Sequence, residues 1–285
     1  MNVLRSTRTN ILSNAKLLHP IKILLSSSYQ NVLPAASCIH CGAAFNHVTS
    51  FSSTNIWHHQ QRQQHTGSTE FLKDMSSWQR IKWNMGFSGT LRVPKRRLMM
   101  SGLNLYVCCT DFLDFKDYVE AFSIPDTFTS WFLLLQLHLW MVNVKVTQLG
   151  KEGFILKESM YRAMWIDVEK RLNTFKDLTG GEKRKAMDDY YSFMIASILY
   201  YDKGIMGSDK VLANSLWIQL YGQDPGVKFD KLQLVVDYVR KQVYHHDHLD
   251  PQPILHPGHI PFLPVVGDKL DESKSLKNYQ MLLSV

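Results

Sequence analysis

The chain has 285 residues, 45% of them hydrophobic and 20% charged, a composition that excludes disorder along the whole length and allows one or two domains with a sizeable core. Its formal charge of +7 is unevenly placed: Arg5, Arg8, Lys16, Lys22 and Arg62 are the charges of residues 1–69, and the first acid is Glu70. The remaining 27 basic and 25 acidic residues leave a body of only +2, without the strong general field that phosphate binding exploits, so DNA is not an expected partner.

Residues 1–45 have the make-up of a mitochondrial transit peptide. They lack acids, are rich in Ser, Asn and Arg, and place Leu4, Ile11 and Leu12 at roughly helical spacing with Arg5 and Arg8 on another face. A secretory signal would need an unbroken apolar centre, which Pro20 and Lys22 interrupt. Cys38-Ile39-His40-Cys41 has the C-x-x-C spacing of zinc and redox sites, but no second pair accompanies it. Cys108 and Cys109 are adjacent and read as small apolar residues, so no disulfide framework is implied. Residues 46–69, rich in Gln, His, Ser and Thr, read as a flexible linker.

A helical domain is expected over 70–249. Its first helix covers Glu70 to Asn84, before a break at Gly86, Gly89 and Pro94. Arg92, Lys95, Arg96 and Arg97 form a basic run beside Pro94. It fits a solvated loop, a contact with ribosomal RNA or an anionic membrane surface, or a nuclear-import signal, the last in conflict with the leader. Residues 98–122 hold one or two helices, with Asp111 as a cap between them. Asp126 is a suitable N-cap for the most apolar stretch, Thr127 to Gln148, closed by Gly150 and Gly153. Gln136, His138, Asn143 and Lys145 interrupt that stretch, which argues against a membrane span and for the buried centre of a bundle.

Four more amphipathic helices follow. Leu156, Met160, Met164, Val168, Leu172 and Phe175 recur at three- to four-residue steps over 154–175, ahead of a break at Thr179-Gly180-Gly181. Met187, Tyr191, Met194, Ile198 and Tyr201 do so over 183–201, Leu212, Leu216 and Leu220 over 209–221, and Leu232, Val236, Val239 and Val243 over 230–244. The expected fold is all-α, a compact bundle of about six to eight helices with a disordered N-terminal leader and a Pro-rich C-terminal tail. Pro251, Pro253, Pro257, Pro261 and Pro264 forbid a continuous helix, so 250–285 is expected to be extended or disordered with at most a weak C-terminal helix.

No nucleotide-binding or catalytic signature occurs, and no cofactor or catalytic residue is implied. His245-His246-Asp247-His248, with His256 and His259, is the sharpest metal candidate and gives the rival reading of a metal-binding matrix enzyme. Adjacent histidines on a helix point about 100° apart, which favours a solvated helix end. Asp167, Glu169 and Asp202 show no pairing that would support acid–base chemistry.

The segment Pro125-Asp126-Thr127-Phe128-Thr129-Ser130-Trp131-Phe132-Leu133, then Leu137-His138-Leu139-Trp140-Met141, resembles the ubiquinol–cytochrome c chaperone family. Met164 to Arg171, Tyr201-Asp202-Lys203-Gly204-Ile205, Asp209 to Trp217 and Val235 to Gln242 agree with that family in order, over about 110–245. The leader and the residues after 250 do not match it. The resemblance implies a non-enzymatic chaperone for newly made cytochrome b, peripheral to the matrix side of the mitochondrial inner membrane. It implies a small partner chaperone, proximity to the mitochondrial ribosome exit, and a role in complex III assembly. Trp131, His138, Trp140 and Trp165 are the expected apolar groove for client or partner. Met160, Met164, Met187 and Met194 could add adaptable surface, though their helical spacing suits a core equally well.

Overall fold

The computed structural model describes residues 91–267 and 269–284. The transit peptide, the C-x-x-C pair, the linker and the expected first helix therefore lie outside the described residues. Among the described residues all regular structure is helical, in nine helices. They are α1 (Lys95–Thr110), α2 (Phe115–Phe122), α3 (Phe128–Thr147), α4 (Gly150–Asn173), α5 (Gly180–Met206), α6 (Asp209–Tyr221), α7 (Phe229–Asp247), α8 (Pro251–Leu255) and α9 (Glu272–Leu283). None of them is long and apolar enough to cross a membrane.

The described residues fall into two compact units, 176–195 in the first, and 91–175 with those described from 196 onward in the second. Of the first, the described part is the start of α5. Thr179 and Glu182 form a capping box there: the Thr179 N–H donates to Glu182 Oε2 at 2.8 Å, and the Glu182 N–H donates to Thr179 Oγ1 at 3.3 Å. A segment expected to break the chain is thus a helix start, because the glycines follow a residue able to cap. Met187, Tyr190, Phe193 and Met194 are buried along this part.

In the second unit α3 is the central element. It begins at Thr127, whose hydroxyl accepts from Ser130 N–H at 3.1 Å, one residue later than the expected cap Asp126. From Phe132 to Val142 all but Leu133 are buried. A helix apolar nearly all round needs neighbours on every side. Here α1, α2, α4, α6 and α7 supply them. Asp114, not Asp111, caps α2, accepting from Lys116 N–H at 3.1 Å. Gly150 and Gly153 open α4 instead of only ending α3. α1 lies close along α4, and Gly102 permits this: a Cβ there would stand 2.6 Å from the Leu156 carbonyl oxygen and from Ser159 Cβ.

The main departure from expectation is the Pro-rich segment. Ile254, Leu255, Ile260 and Leu263 are buried, so 251–263 is part of the packed body. Prolines end the helical ladder after the short α8, and side chains from earlier elements take up carbonyls at its end and beyond it. Ser101 Oγ donates to Leu255 O at 2.8 Å and Asn104 Nδ2 to Pro257 O at 2.7 Å. The Gln242 amide clasps Leu263 in both directions, Nε2 donating to its carbonyl at 2.7 Å and Oε1 accepting from its N–H at 3.1 Å. The positive-φ Gly258 packs onto the backbone of Ser101, where any side chain would collide.

Candidate functional site

Trp131 sits on the first turn of α3, partly exposed. Its turn is pinned by the Thr127 cap, and three other aromatic rings gather around it. Phe128 lies 5.3 Å from Trp131 between centroids, Phe115 lies 6.4 Å from it, and Phe175 meets Phe128 edge-on at 5.5 Å. All four are only partly buried. The start of α2, the start of α3 and the end of α4 thus converge on one aromatic surface.

A cation completes it. The Arg171 guanidinium lies 4.5 Å from the centre of the Trp131 ring. It is aimed there by Asp167 one turn earlier, which accepts from Arg171 Nε at 2.7 Å. Asp167 is itself held by the Tyr106 hydroxyl of α1 at 2.7 Å. Burial and the neighbouring carboxylate push the Tyr106 hydroxyl far above its usual titration range, so it remains a donor. Aromatic and arginine side chains offer large rigid area at low entropy cost and are the types that anchor protein–protein contacts. Such a surface suits an apolar or aromatic segment.

The four residues expected to line one groove do not share one. Trp165 is buried and packs on Phe132 at 6.1 Å. Trp140 is fully buried against the Tyr201 ring at 5.1 Å, with its Nε1–H donated to Asp202 at 2.8 Å. His138 is fully buried, Nδ1 facing Leu134 O at 2.7 Å and Nε2 facing the Tyr238 hydroxyl at 2.8 Å. Because a carbonyl only accepts, Nδ1 carries the proton and Nε2 accepts from Tyr238. Tyr118 lies 3.1 Å beyond, hydroxyl to hydroxyl. Burial pulls the His138 imidazole down to about 4, so it is neutral at physiological pH. Met160, Met164, Met187 and Met194 are likewise core.

The histidines near the end of α7 do not converge either. His246 is buried with Nε2 on Pro261 O at 3.2 Å, His248 turns back to Tyr244 O at 2.8 Å, and His259 meets Tyr279 edge-on at 5.6 Å. Among the described residues no three His, Cys, Asp or Glu side chains are placed to hold a metal ion. Sequence reading missed Phe115, Phe128, Phe175 and Arg171 because they come from three elements. The one available signal was Arg171 four residues after Asp167, a helical pair that fixes a guanidinium.

The fold and this surface define a helical protein with a polar-stitched core and an aromatic, arginine-bearing face. Residues 120–258 match the family described as ubiquinol–cytochrome C chaperone. The ubiquinol–cytochrome-c reductase complex assembly factor 1 of Xenopus laevis is 36% identical over 185 residues, 64% of this chain and 90% of that protein. The Mus musculus protein of that name is 34% identical over 64% of this chain but 61% of its own length. Protein CBP3, mitochondrial, of Saccharomyces cerevisiae is 28% identical over 45% of this chain and 39% of its own. The chain belongs to the ubiquinol–cytochrome c chaperone family. No solved structure matches it.

Proposed function

We propose that this protein is a non-enzymatic assembly chaperone for the ubiquinol–cytochrome c reductase complex, respiratory complex III, and that its client is newly synthesised cytochrome b. It acts in mitochondria, peripheral to the matrix side of the inner membrane and near the mitochondrial ribosome, together with a small partner chaperone. Kinship with proteins named assembly factors of that complex supports the first part. The acid-free basic leader and the mitochondrial yeast relative support the compartment.

The observation that carries the holding role is the aromatic surface of Phe115, Phe128, Trp131 and Phe175 under Arg171. A client made of apolar membrane helices must be kept from other apolar surfaces until its partners arrive, and rigid aromatic rings supply that contact without a deep pocket. Trp131 is the contact residue of the four expected from the sequence; Trp165, packed on Phe132, and the buried His138 and Trp140 belong to the scaffold. The test is a clean deletion followed by native-gel analysis of respiratory complexes. Loss of the ubiquinol–cytochrome c reductase complex and of labelled, newly made cytochrome b is expected, with other complexes less affected; an intact complex would reject the proposal.

A further inference from the structure

The basic run ahead of α1 is not absorbed by the client-holding role, and the structure gives it a setting. From Met75 to Thr110 the sequence contains no Asp or Glu. Arg92 and Arg97 line a cleft of about 310 Å³, closed on the other side by Asp250, Gln252 and His256 around α8 and by Tyr279 of α9. Arg92, Arg96 and Arg97 are exposed, and none of their side chains is ion-paired among the described residues. Two acids stand nearby. Asp250 spends one oxygen on the Gln252 N–H at 3.1 Å, and Glu152 accepts the Arg92 backbone N–H at 2.8 Å. Within the cleft itself two arginines, Arg92 and Arg97, face one acid, Asp250.

Apolar side chains stand exposed on the two helices that bring Arg97 and Tyr279 to the cleft. On α1, Met100 follows Arg96 and Arg97 by four and three residues, and Leu103 follows Met99 and Met100, so all share the outward face. Met99, Met100 and Leu103 are 40%, 44% and 37% exposed although the opposite face of α1 is wholly buried. On α9, Leu276 and Leu283 flank Tyr279 at helical spacing and are 57% and 51% exposed. An arginine fork suits a phosphate oxygen pair, and aliphatic side chains beside it suit acyl chains.

We propose that this face is an anionic-phospholipid site, with a headgroup phosphate in the Arg92–Arg97 cleft and Met99, Met100, Leu103, Leu276 and Leu283 entering the headgroup–acyl boundary. The inference deepens the membrane placement proposed above and does not need the client. RNA would engage the same cations, but single-stranded RNA is held by stacking on successive aromatic rings, and among the described residues lining this cleft the only rings are those of Tyr279 and His256.

The test is vesicle co-sedimentation of the full chain with Arg5, Arg8, Lys16, Lys22 and Arg62 replaced by Gln, so that the leader does not bind on its own. Vesicles of phosphatidylcholine alone and of phosphatidylcholine with phosphatidylglycerol are compared. Salt-sensitive binding only to the second is expected. Arg92→Gln with Arg97→Gln should weaken it roughly 30-fold, at about one kcal/mol per charge. Met100→Gln with Leu103→Gln should weaken it as well, and Arg92→Lys with Arg97→Lys should retain most of it. All these side chains are exposed, so unchanged thermal unfolding is expected and is measured alongside. Equal binding by parent and arginine variants, equal binding to neutral vesicles, or arginine-dependent binding of single-stranded RNA without vesicle binding would each overturn the inference. Co-purification of labelled cytochrome b is read with the parent chain: its absence with vesicle binding intact counts against the client reading alone.

Discussion

His138 of α3 and Tyr238 of α7 are 100 residues apart in sequence and 2.8 Å apart in the core, joined Nε2 to hydroxyl. The pair fixes the register of two helices at the centre of the second unit. Its consequence is a pH dependence of stability. Burial lowers the His138 imidazole from 6.5 to about 4 and that of His246 from 6.5 to about 3. A histidine depressed in the folded state stays neutral while the unfolded chain takes up the proton, so stability is complete above the unfolded value and falls as pH drops towards the folded one. Each group contributes about 1.4 kcal/mol per pH unit in that window. Urea midpoints should therefore fall from neutral pH to pH 4, and His138→Phe should flatten the fall while lowering stability overall. A pH-independent midpoint would contradict the buried neutral histidine.

Gln136 has the opposite character. Its amide is 2% exposed, and neither Oε1 nor Nε2 has a partner among the described residues. An unmet buried amide costs about 1–3 kcal/mol. Gln136→Leu should raise the denaturation midpoint by about that amount. A lower midpoint would mean that the amide serves a purpose, and the structure offers no account of one.

Glycine position decides sign. At Gly102 a methyl group meets the Leu156 carbonyl and Ser159 at 2.6 Å. Forcing α1 from α4 costs about 1–3 kcal/mol, more than the roughly 1 kcal/mol by which Ala exceeds Gly in a helix. At Gly181 the nearest atom is Thr179 Oγ1 at 4.0 Å, so the helical gain stands alone. Thermal unfolding should show Gly102→Ala destabilised and Gly181→Ala stabilised.

The Pro-rich segment depends on Gln242. Gln242→Met would leave both the carbonyl and the N–H of Leu263 unpaired in a buried site, costing about 1–3 kcal/mol for each group. Limited proteolysis should then cut first between residues 256 and 267, before any site in α3. Cutting elsewhere first would show that the clasp does not hold the segment.

Helix periodicity made most of the fold legible: α6 falls on the expected 209–221, and α7, at Phe229–Asp247, exceeds its expectation by a few residues. Where the reading failed, the cause was a partner distant in sequence. Pro251 to Pro264 look unfoldable alone because the donors for their carbonyls, Ser101, Asn104 and Gln242, come from α1 and α7. The site was legible at Trp131 only. A tryptophan on a helix declares apolar area without declaring depth. Trp140 and Trp131 stand nine positions apart on α3, yet one is sealed between helices and the other faces outwards at the helix start. Phe175 and Arg171 reach the same surface from the far end of α4, which no local pattern reveals.

The most direct measurement is site-specific photo-crosslinking in mitochondria with labelled translation products, the crosslinker placed at Trp131 or Phe128 of the full chain. Newly made cytochrome b should be captured from both positions, and far less from the exposed Tyr244 position on α7. Removing the cation with Arg171→Ala should reduce capture while leaving thermal unfolding within about 1 kcal/mol of the parent. Capture of cytochrome b from Tyr244 and not from Trp131 or Phe128, in a protein that remains folded, would contradict the aromatic surface as the holding site.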